Sequence, residues 1–266
     1  MFQAAGRKHR LRSAQGVAGG GQHLPARNAG RLVPRPVVCG TGAHCRCALD
    51  GRWSDCYTME SSPLLVSVVV FDLGEVLAAP SGLLLALAER AGTDEETLTA
   101  AYWAFRDVYD RGGDADTFWT SVLSDARVAF DADLVRALSD HDTTAWTTLR
   151  PDAREMLAEL HDAGVKVAVL SNAPRELAAA ARQADWAVWI DDWFFSGELG
   201  MAKPDGAVYA AVTSALGVDE SEIVFFDDRQ VNVDAARRAG WDAHLWTSGA
   251  AVRETLGTMG LLPRRS

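Results

Sequence analysis

A short apolar run that ends in a carboxylate, residues 68–72, constrains the fold of this chain more than any other feature. It reads Val-Val-Val-Phe-Asp, and a glycine follows at residue 74. An apolar run this short is typical of a strand that is buried on both faces of a parallel sheet. The carboxyl ends of such strands open onto the ligand crevice, so the run predicts that Asp72 lies at a site. From this segment alone, the alternative is an aspartate that only caps the next helix.

Further apolar segments predict more strands of the same sheet, at residues 165–170, 223–226 and 243–246. The intervening stretches predict helices, and Pro151 suits the first position of one of them. These helices span residues 150–161, 174–183, 205–216 and 232–239. Because strands and helices alternate, we expect an α/β fold whose parallel sheet is covered by helices on both faces.

Residues 83–147 differ from the rest, because their pattern is helical throughout. Leu98, Tyr102, Phe105 and Tyr109 recur at close to 3.6 residues, which favours an amphipathic helix. Turn signals separate the helical stretches. The predicted helices cover residues 83–90, 95–111, 115–123 and 132–146.

Charge is distributed unevenly along the 266 residues, whose formal net charge is −10. Residues 1–58 hold nine Lys or Arg and two acids, whereas residues 59–266 hold seventeen bases and thirty-four acids. A body this acidic repels a phosphate backbone, so we expect no nucleic-acid partner. No apolar run reaches membrane-spanning length, and residues after 58 contain no cysteine. We therefore expect a soluble, cytoplasmic protein that has no membrane partner and needs no disulfide.

Residues 1–58 are rich in Gly, Arg and Pro and show no apolar periodicity, so we expect them to pack no core. Three explanations remain open: a disordered tail, an Arg-rich targeting peptide, or a non-native extension upstream of a true start at Met59. The third is favoured because the charge balance changes sign at Met59, just before the first strand. The spacing of the four cysteines in this segment matches no common zinc framework.

Polar side chains follow three of the predicted strands at the point where each strand ends. They are Asp72, the pair Ser171 and Asn172, and the pair Asp227 and Asp228. Parallel strands bring these ends to the same edge of the sheet, so we expect the side chains to converge. A lysine, residue 203, lies between the last two, and the proline after it keeps it in a loop.

These residue types suit the transfer of a phosphoryl group. Asp72 can attack phosphorus and form an aspartyl-phosphate. A carboxylate and a phosphate repel each other, so a divalent cation must offset their charges, and Asp72 and Asp228 offer the hard oxygens that Mg²⁺ prefers. Ser171 and Lys203 can stabilise the phosphoryl oxygens. Taken singly, each residue also has a structural reading as a helix cap, a turn or a solvated loop residue.

The chain resembles the haloacid dehalogenase-like hydrolase superfamily over residues 65–247, on the strength of four motifs. They centre on Asp72, Ser171, Lys203 with the text Gly-Met-Ala-Lys-Pro-Asp, and Asp227–Asp228 within Phe-Phe-Asp-Asp-Arg. The resemblance implies a Rossmann-like three-layer sandwich with strand order 5-4-1-2-3 and the nucleophile on the central strand. It also implies that Asp228 binds the metal directly, that Asp227 supports it, and that the Gly74 carbonyl is a further ligand.

The spacing of the motifs places a small helical cap at residues 80–148, inserted into a core of residues 59–79 and 149–266. Only thirty-one residues lie between Ser171 and Lys203, too few for a cap at that point. We expect Arg106 and Arg111 of the cap, together with Asn172 of the core, to bind substrate. Aromatic candidates for contact with the leaving group are Trp103, Tyr109 and Trp119.

Residue 74 departs from the family pattern, because phosphatases of this family usually carry an aspartate there as the acid that protonates the leaving group. Loss of a positioned acid typically removes ~10²–10⁴-fold in rate. Three consequences are open. Glu75 or a cap residue supplies the proton, the substrate has a good leaving group such as an anomeric or acyl phosphate, or the protein is catalytically weak.

The favoured function is therefore a Mg²⁺-dependent phosphatase that hydrolyses a small phosphorylated metabolite, as a monomer or homodimer. A second hypothesis is a 2-haloacid dehalogenase, in which Asp72 attacks carbon and no cation is needed. A third is a module that binds a phosphorylated metabolite with little or no catalysis, which the glycine at residue 74 would explain.

Overall fold

The computed structural model describes residues 46–49, 52–55 and 66–263, and the chain divides into two compact units, residues 1–58 and 59–266. In the first unit, strand β1 (Arg46–Leu49) pairs antiparallel with strand β2 (Arg52–Asp55). The remainder of residues 1–58 lies outside the described residues, and so does Met59. The expectations of an extension without a core and of a start at Met59 therefore stay predictions.

The second unit is built on a five-stranded parallel sheet. Its strands are β3 (Val68–Phe71), β4 (Val167–Ser171), β5 (Asp192–Phe195), β6 (Ile223–Asp227) and β7 (Asp242–Leu245). They are ordered β5-β4-β3-β6-β7, and every neighbouring pair is parallel. Counted within this sheet alone, the order is 3-2-1-4-5, which is the predicted order 5-4-1-2-3 read from the other edge. The prediction that Asp72 follows the central strand is confirmed.

Burial on both faces explains why β3 is a continuous apolar run. Its four residues are fully buried, and successive side chains point to opposite faces of the sheet. Val69 and Phe71 belong to one hydrophobic cluster, whereas Val68 and Val70 belong to another. A polar residue within β3 would therefore be desolvated whichever face it occupied, so the first polar side chain comes where the strand ends.

Four helices follow β3 and pack around a core of their own. They are α1 (Leu83–Ala91), α2 (Glu95–Asp110), α3 (Ala115–Asp125) and α4 (Ala132–Trp146), within a residue or two of the predicted bounds. Aspartates cap the N-termini of α2, α3 and α4, where each side chain accepts a hydrogen bond from a backbone amide of the first turn. The shared core includes fully buried Leu87, Leu98, Tyr102, Trp119 and Leu138. The division into a cap at 80–148 and a surrounding core stays a prediction.

The remaining helices cover the two faces of the sheet. They are α5 (Pro151–Asp162), α6 (Arg175–Ala181), α7 (Ser196–Leu199), α8 (Gly206–Leu216), α9 (Gln230–Arg238) and α10 (Gly249–Thr258). Apolar residues of α5, α6 and α10 share a cluster with Val69 and Phe71, while those of α8 and α9 share the cluster of Val68 and Val70. The result is the predicted three-layer sandwich. None of the described helices has the length and apolar character that crossing a membrane requires.

The structure departs from the sequence-based assignment in three places. Strand β5 and helix α10 were not located in the sequence, and β4 begins at residue 167 and not at 165. Strand β5 is a four-residue edge strand whose first two residues, Asp192 and Trp193, are only half-buried. An edge strand needs no continuous apolar run, so its pattern is weak.

Candidate active site

Three predicted residues meet at the carboxyl ends of the central strands. The Nζ atom of Lys203 lies 2.9 Å from Oδ2 of Asp72 and 2.7 Å from Oδ2 of Asp227. It also donates a hydrogen bond of 2.9 Å to the carbonyl of Leu170, near the end of β4. The Lys203 side chain is almost completely buried, so these oxygens replace its hydration shell.

The backbone at the end of β3 holds the Asp72 carboxylate in place. The Asp72 amide donates to the carbonyl of Phe226 on β6 at 2.9 Å, so the sheet ladder extends to this residue. The Leu73 amide in turn donates to Oδ1 of Asp72 at 2.7 Å. Since one carboxylate oxygen faces Leu73 and the other faces Lys203, the orientation of the carboxylate is set from both sides.

Asp227 is the most completely buried acid of the site, and donors engage both of its oxygens. Oδ1 accepts hydrogen bonds of 2.9 Å from the Arg229 amide and from Nδ2 of Asn232, while Oδ2 faces Lys203. Asn232 was not among the predicted site residues. Its place in the first turn of α9, five residues after Asp227, is the signal that could have identified it.

Asp72, Asp227 and Asp228 form a cluster that fits a divalent cation. Each offers a carboxylate oxygen, and these oxygens lie within 4.8 Å of one another. The ammonium of Lys203 contacts Asp72 and Asp227 and contributes one positive charge. The three carboxylates together carry more negative charge than this, and the excess lies in a largely buried place. Hard oxygen ligands around such a charge suit Mg²⁺. The role of the Gly74 carbonyl as a further ligand stays a prediction.

The pKa values of the clustered acids and of Lys203 shift because of burial and of the neighbouring charges. Burial raises the pKa of Asp72 to about 7; Lys203 opposes this shift and Asp227 adds to it. Burial and the charge of Asp227 also raise the pKa of Asp228. For Lys203, burial acts to lower the pKa, but Asp72 and Asp227 together raise it above the usual value, so the ammonium stays charged. A cation bound at these acids would stabilise their ionised forms.

Ser171 and Asn172 lie where β4 ends, next to this cluster. The Ser171 side chain is buried, and its interaction with the Asp72 carboxyl acts to lower the pKa of that acid. The Asn172 side chain instead contacts the backbone of Lys203, donating to its carbonyl and accepting from its amide, each at 2.8 Å. Of the two, Ser171 therefore acts directly on Asp72, and Asn172 holds the lysine loop.

A pocket of about 80 Å³ lies next to the cluster, between the edge of the sheet and helices α2 and α4. Both parts of the fold contribute to its lining. The lining residues are Leu73, Gly74, Ser171, Asn172, Ala173 and Leu177 on the sheet side and Trp103, Arg106, Asp110 and Trp146 from α2 and α4.

The two arginines that were expected to bind substrate have different surroundings. Arg106 lines the pocket, and its guanidinium is held by Asp110 at 2.7 Å, by Asp142 at 3.3 Å and by the Tyr102 hydroxyl. Arg111 is 39% exposed, pairs with Asp107 and Asp205 at 3.3 Å each, and is not part of the pocket lining described above.

The aromatic candidates divide in the same way. Trp103 is 53% exposed and lines the pocket. Trp119 is completely buried in the helical core, where the Tyr109 ring stacks on Phe118 with centroids 4.4 Å apart. Tyr109 and Trp119 therefore pack in the helical core.

Comparison with known proteins identifies the family. The model of the haloacid dehalogenase-like hydrolases matches residues 66–240. A phosphatase of Mycobacterium tuberculosis is 36% identical over 118 residues, which are 42% of this chain and 53% of the relative. A (S)-2-haloacid dehalogenase of Burkholderia cepacia is 31% identical over 110 residues, 40% of this chain and 48% of the relative. The chain thus spans about half the length of these curated relatives.

A solved dehalogenase structure shows the same fold. It superposes with a TM-score of 0.58 at 21% identity and covers 75% of this chain and 99% of the dehalogenase. The matched segment of the family model begins just before β3 and extends past α9, so it includes all the residues of the carboxylate cluster. The chain belongs to the haloacid dehalogenase-like hydrolases.

Proposed function

We propose that this protein is a Mg²⁺-dependent phosphatase that hydrolyses a small phosphorylated metabolite through an aspartyl-phosphate on Asp72. One observation carries the proposal. The buried ammonium of Lys203 lies between Asp72 and Asp227, at 2.9 and 2.7 Å, beside a third carboxylate from Asp228. A nucleophile, a fixed positive charge and a set of cation ligands therefore share one place.

Asp72 is the nucleophile in this proposal. Its carboxylate oxygen forms a bond to phosphorus while the bond between phosphorus and the leaving oxygen breaks, and the electron pair stays with that oxygen. Water then attacks phosphorus, which releases inorganic phosphate and restores the carboxylate. The hydrogen bond from the Leu73 amide keeps one oxygen of Asp72 occupied, so the other faces the substrate side with Lys203.

Lys203 and Ser171 stabilise the phosphoryl group during transfer. Charge on the transferring group is spread over its equatorial oxygens, so fixed donors aimed at them lower the barrier. The ammonium of Lys203 is held by Asp227 and by the Leu170 carbonyl, and its position does not depend on substrate. The Ser171 hydroxyl, adjacent to Asp72, can turn toward a phosphoryl oxygen.

Asp72, Asp228 and the Gly74 carbonyl would hold Mg²⁺, with Asp227 in support. Bound there, the ion offsets the repulsion between the Asp72 carboxylate and a phosphate dianion. Arg106 and Asn172 line the pocket, and we assign them to substrate binding together with Arg111 at the outer end of α2. Helices α1–α4 act as the cap over the crevice, and the expected partner is one small phosphorylated metabolite.

The test uses the whole chain with p-nitrophenyl phosphate, in the presence of Mg²⁺ and after treatment with EDTA. Asp72→Asn should abolish turnover, because an amide oxygen is a poor nucleophile. Asp133→Asn is the matched control, since Asp133 is 89% exposed on α4. Wild-type activity should depend on Mg²⁺. Undiminished turnover by Asp72→Asn would contradict the assignment of the nucleophile.

The second candidate is a 2-haloacid dehalogenase, and the glycine at residue 74 favours it. Halide leaves without a proton, so that reaction needs no acid at this position. The paired acids Asp227 and Asp228 speak against it, because they repel the carboxylate of a haloacid. Release of halide from 2-chloropropionate in the presence of EDTA would support this candidate. Tight binding of a phosphate analogue without turnover of any substrate would instead support the non-catalytic binding module.

A further inference from the structure

The proposed phosphatase lacks an acid at residue 74, and the indole of Trp146 lies beside that residue. A Cβ atom built on Gly74 lies 3.4 Å from Cζ3 and 3.9 Å from Cε3 of Trp146. A side chain at residue 74 would therefore lie in contact with the Trp146 indole at the end of α4. The proton for the leaving group therefore has to come from another residue. The need for such a residue rests on the proposed function.

Glu75 is a poor source of this proton. It has a φ of 58° in the left-handed region, its side chain is exposed, and it raises the pKa of Asp228 by its charge. It therefore acts on the cation side of the site, and it is absent from the lining of the pocket next to Ser171.

Asp110 is placed better, because it lines the same pocket as Gly74 and Ser171. It is the one carboxylic acid among the residues of that lining. As the last residue of α2, it has a side chain that is only 16% exposed.

The contacts of Asp110 fix its position on both its side chain and its backbone. Oδ1 accepts a 2.7 Å hydrogen bond from Nε of Arg106, and the Asp110 carbonyl accepts one from the Ser196 hydroxyl. Because the ion pair uses Oδ1, Oδ2 is the oxygen that can carry a proton. The bond to Ser196 ties the end of α2 to the sheet, since the same hydroxyl accepts from the Ala173 amide.

The charges around Asp110 support a proton at near-neutral pH. Burial raises the pKa of Asp110 to about 6; Arg106 opposes this shift, whereas Asp142 and Asp107 add to it. Glu176 of α6 acts on Tyr109, the neighbour of Asp110 in the sequence. An acid with a pKa near the working pH is the most effective proton donor.

We propose that the Asp110 carboxyl donates the proton to the leaving-group oxygen, in place of the acid that is absent at residue 74. As the Asp72 oxygen bonds to phosphorus, the bond from phosphorus to the leaving oxygen breaks, and that oxygen takes the proton from Asp110. The resulting carboxylate then removes a proton from the water that attacks the aspartyl-phosphate. Phosphate leaves, Asp72 is again a carboxylate, and Asp110 is again protonated.

The test compares aryl phosphates whose leaving groups need protonation to different degrees. With 2,4-dinitrophenyl phosphate the leaving oxygen departs as an anion, whereas with phenyl phosphate it needs a proton. Asp110→Asn should lower kcat/KM for phenyl phosphate by ~10²–10⁴-fold and should change that for 2,4-dinitrophenyl phosphate less than about tenfold. Asp110→Glu, which keeps the acid, should recover part of the loss.

Asp133→Asn is the matched control, because it removes an 89% exposed acid of α4 that is not part of the pocket lining. It should leave kcat/KM for both substrates at the wild-type values. An equal loss on both substrates in Asp110→Asn would show that Asp110 only positions Arg106, and it would overturn the proposal. Circular dichroism establishes that each variant is folded. Failure of the proposed function is distinct, because wild-type protein would then hydrolyse neither substrate.

Discussion

Asn172 and Lys203 exchange two hydrogen bonds of 2.8 Å, although they are thirty-one positions apart in the sequence. The Asn172 amide nitrogen donates to the Lys203 carbonyl, and its oxygen accepts from the Lys203 amide. A single side chain thus acts as a backbone strand would and attaches the lysine loop to the end of β4. The position of the Lys203 ammonium between Asp72 and Asp227 depends in part on this pair.

Asn172→Ala should lower kcat for p-nitrophenyl phosphate about 10- to 100-fold, because a displacement of the lysine loop by about 1 Å misplaces the ammonium. Steady-state kinetics measure the effect. Gln183→Ala, which removes an exposed side-chain amide, is the control and should match wild type. A rise in KM at unchanged kcat would show that Asn172 contacts substrate without positioning Lys203.

Mg²⁺ should raise the thermal stability of the protein. The cluster of Asp72, Asp227 and Asp228 concentrates negative charge that a bound cation relieves, and a ligand at 100 times its Kd stabilises by about 2.7 kcal/mol. For a unit of this size, that corresponds to an increase in Tm of roughly 5–10 °C. Differential scanning calorimetry with and without Mg²⁺ measures it. Asp228→Asn should lose most of the shift, and an equal shift in that variant would place the cation elsewhere.

The sequence was sufficient to predict the strands at the centre of the sheet and the residues at their ends. Strands that are buried on both faces must be apolar throughout, so β3 and β6 can be predicted without knowledge of their neighbours. Asp72 and Asp227 are then recognised as the polar residues at which these apolar runs end. Strand β5 was missed because an edge strand carries no such constraint: Asp192 and Trp193 are half-buried.

The helical side of the site was less predictable, because periodicity shows which helix face is apolar and not what that face touches. Trp119 and Trp103 lie in consecutive helices and are both tryptophans, yet one is core and the other lines the pocket. Asp110 and Arg111 are adjacent in sequence, but only Asp110 faces the pocket. That difference arises from where α2 ends against α7, which is a tertiary contact.

Trp103→Ala should weaken substrate binding and leave stability unchanged. The indole is 53% exposed, so its removal should alter the free energy of unfolding by about 0.5 kcal/mol or less. Its position in the pocket lining predicts a KM several-fold higher for aryl phosphates, whose ring can stack on it. Leu85→Ala, which removes a 45% exposed side chain away from the pocket, is the control. Equal KM values for the two variants would exclude contact between Trp103 and substrate.

The pH dependence of hydrolysis should differ between leaving groups. With phenyl phosphate, kcat/KM should fall as the pH rises through about 6, because the Asp110 carboxyl, whose pKa burial raises to that value, loses its proton. With 2,4-dinitrophenyl phosphate this falling limb should be absent, and Asp110→Asn should lack it with both substrates. The pH profiles of kcat/KM report these groups in the free enzyme. The same falling limb in Asp110→Asn would assign it to another group.

An aspartate at residue 74, as in phosphatases of the family, should lower the stability of this protein, because Trp146 lies beside Gly74. Gly74→Ala brings Cβ to an ordinary contact of 3.4 Å with the ring and should be tolerated. Gly74→Asp adds a carboxyl group beside the ring and should cost about 1–3 kcal/mol, as overpacking does. Urea unfolding measures both.

Gly206→Ala provides the reference for a glycine exchange without a steric partner, since no atom lies within 4 Å of its Cβ position. Gly74→Asp combined with Asp110→Asn should remain inactive on phenyl phosphate, because a carboxyl forced aside by Trp146 does not reach the leaving oxygen. If that double variant instead recovered activity while remaining as stable as Gly74→Ala, the indole would have to move readily. Trp146 would then not be the reason that the proton comes from α2.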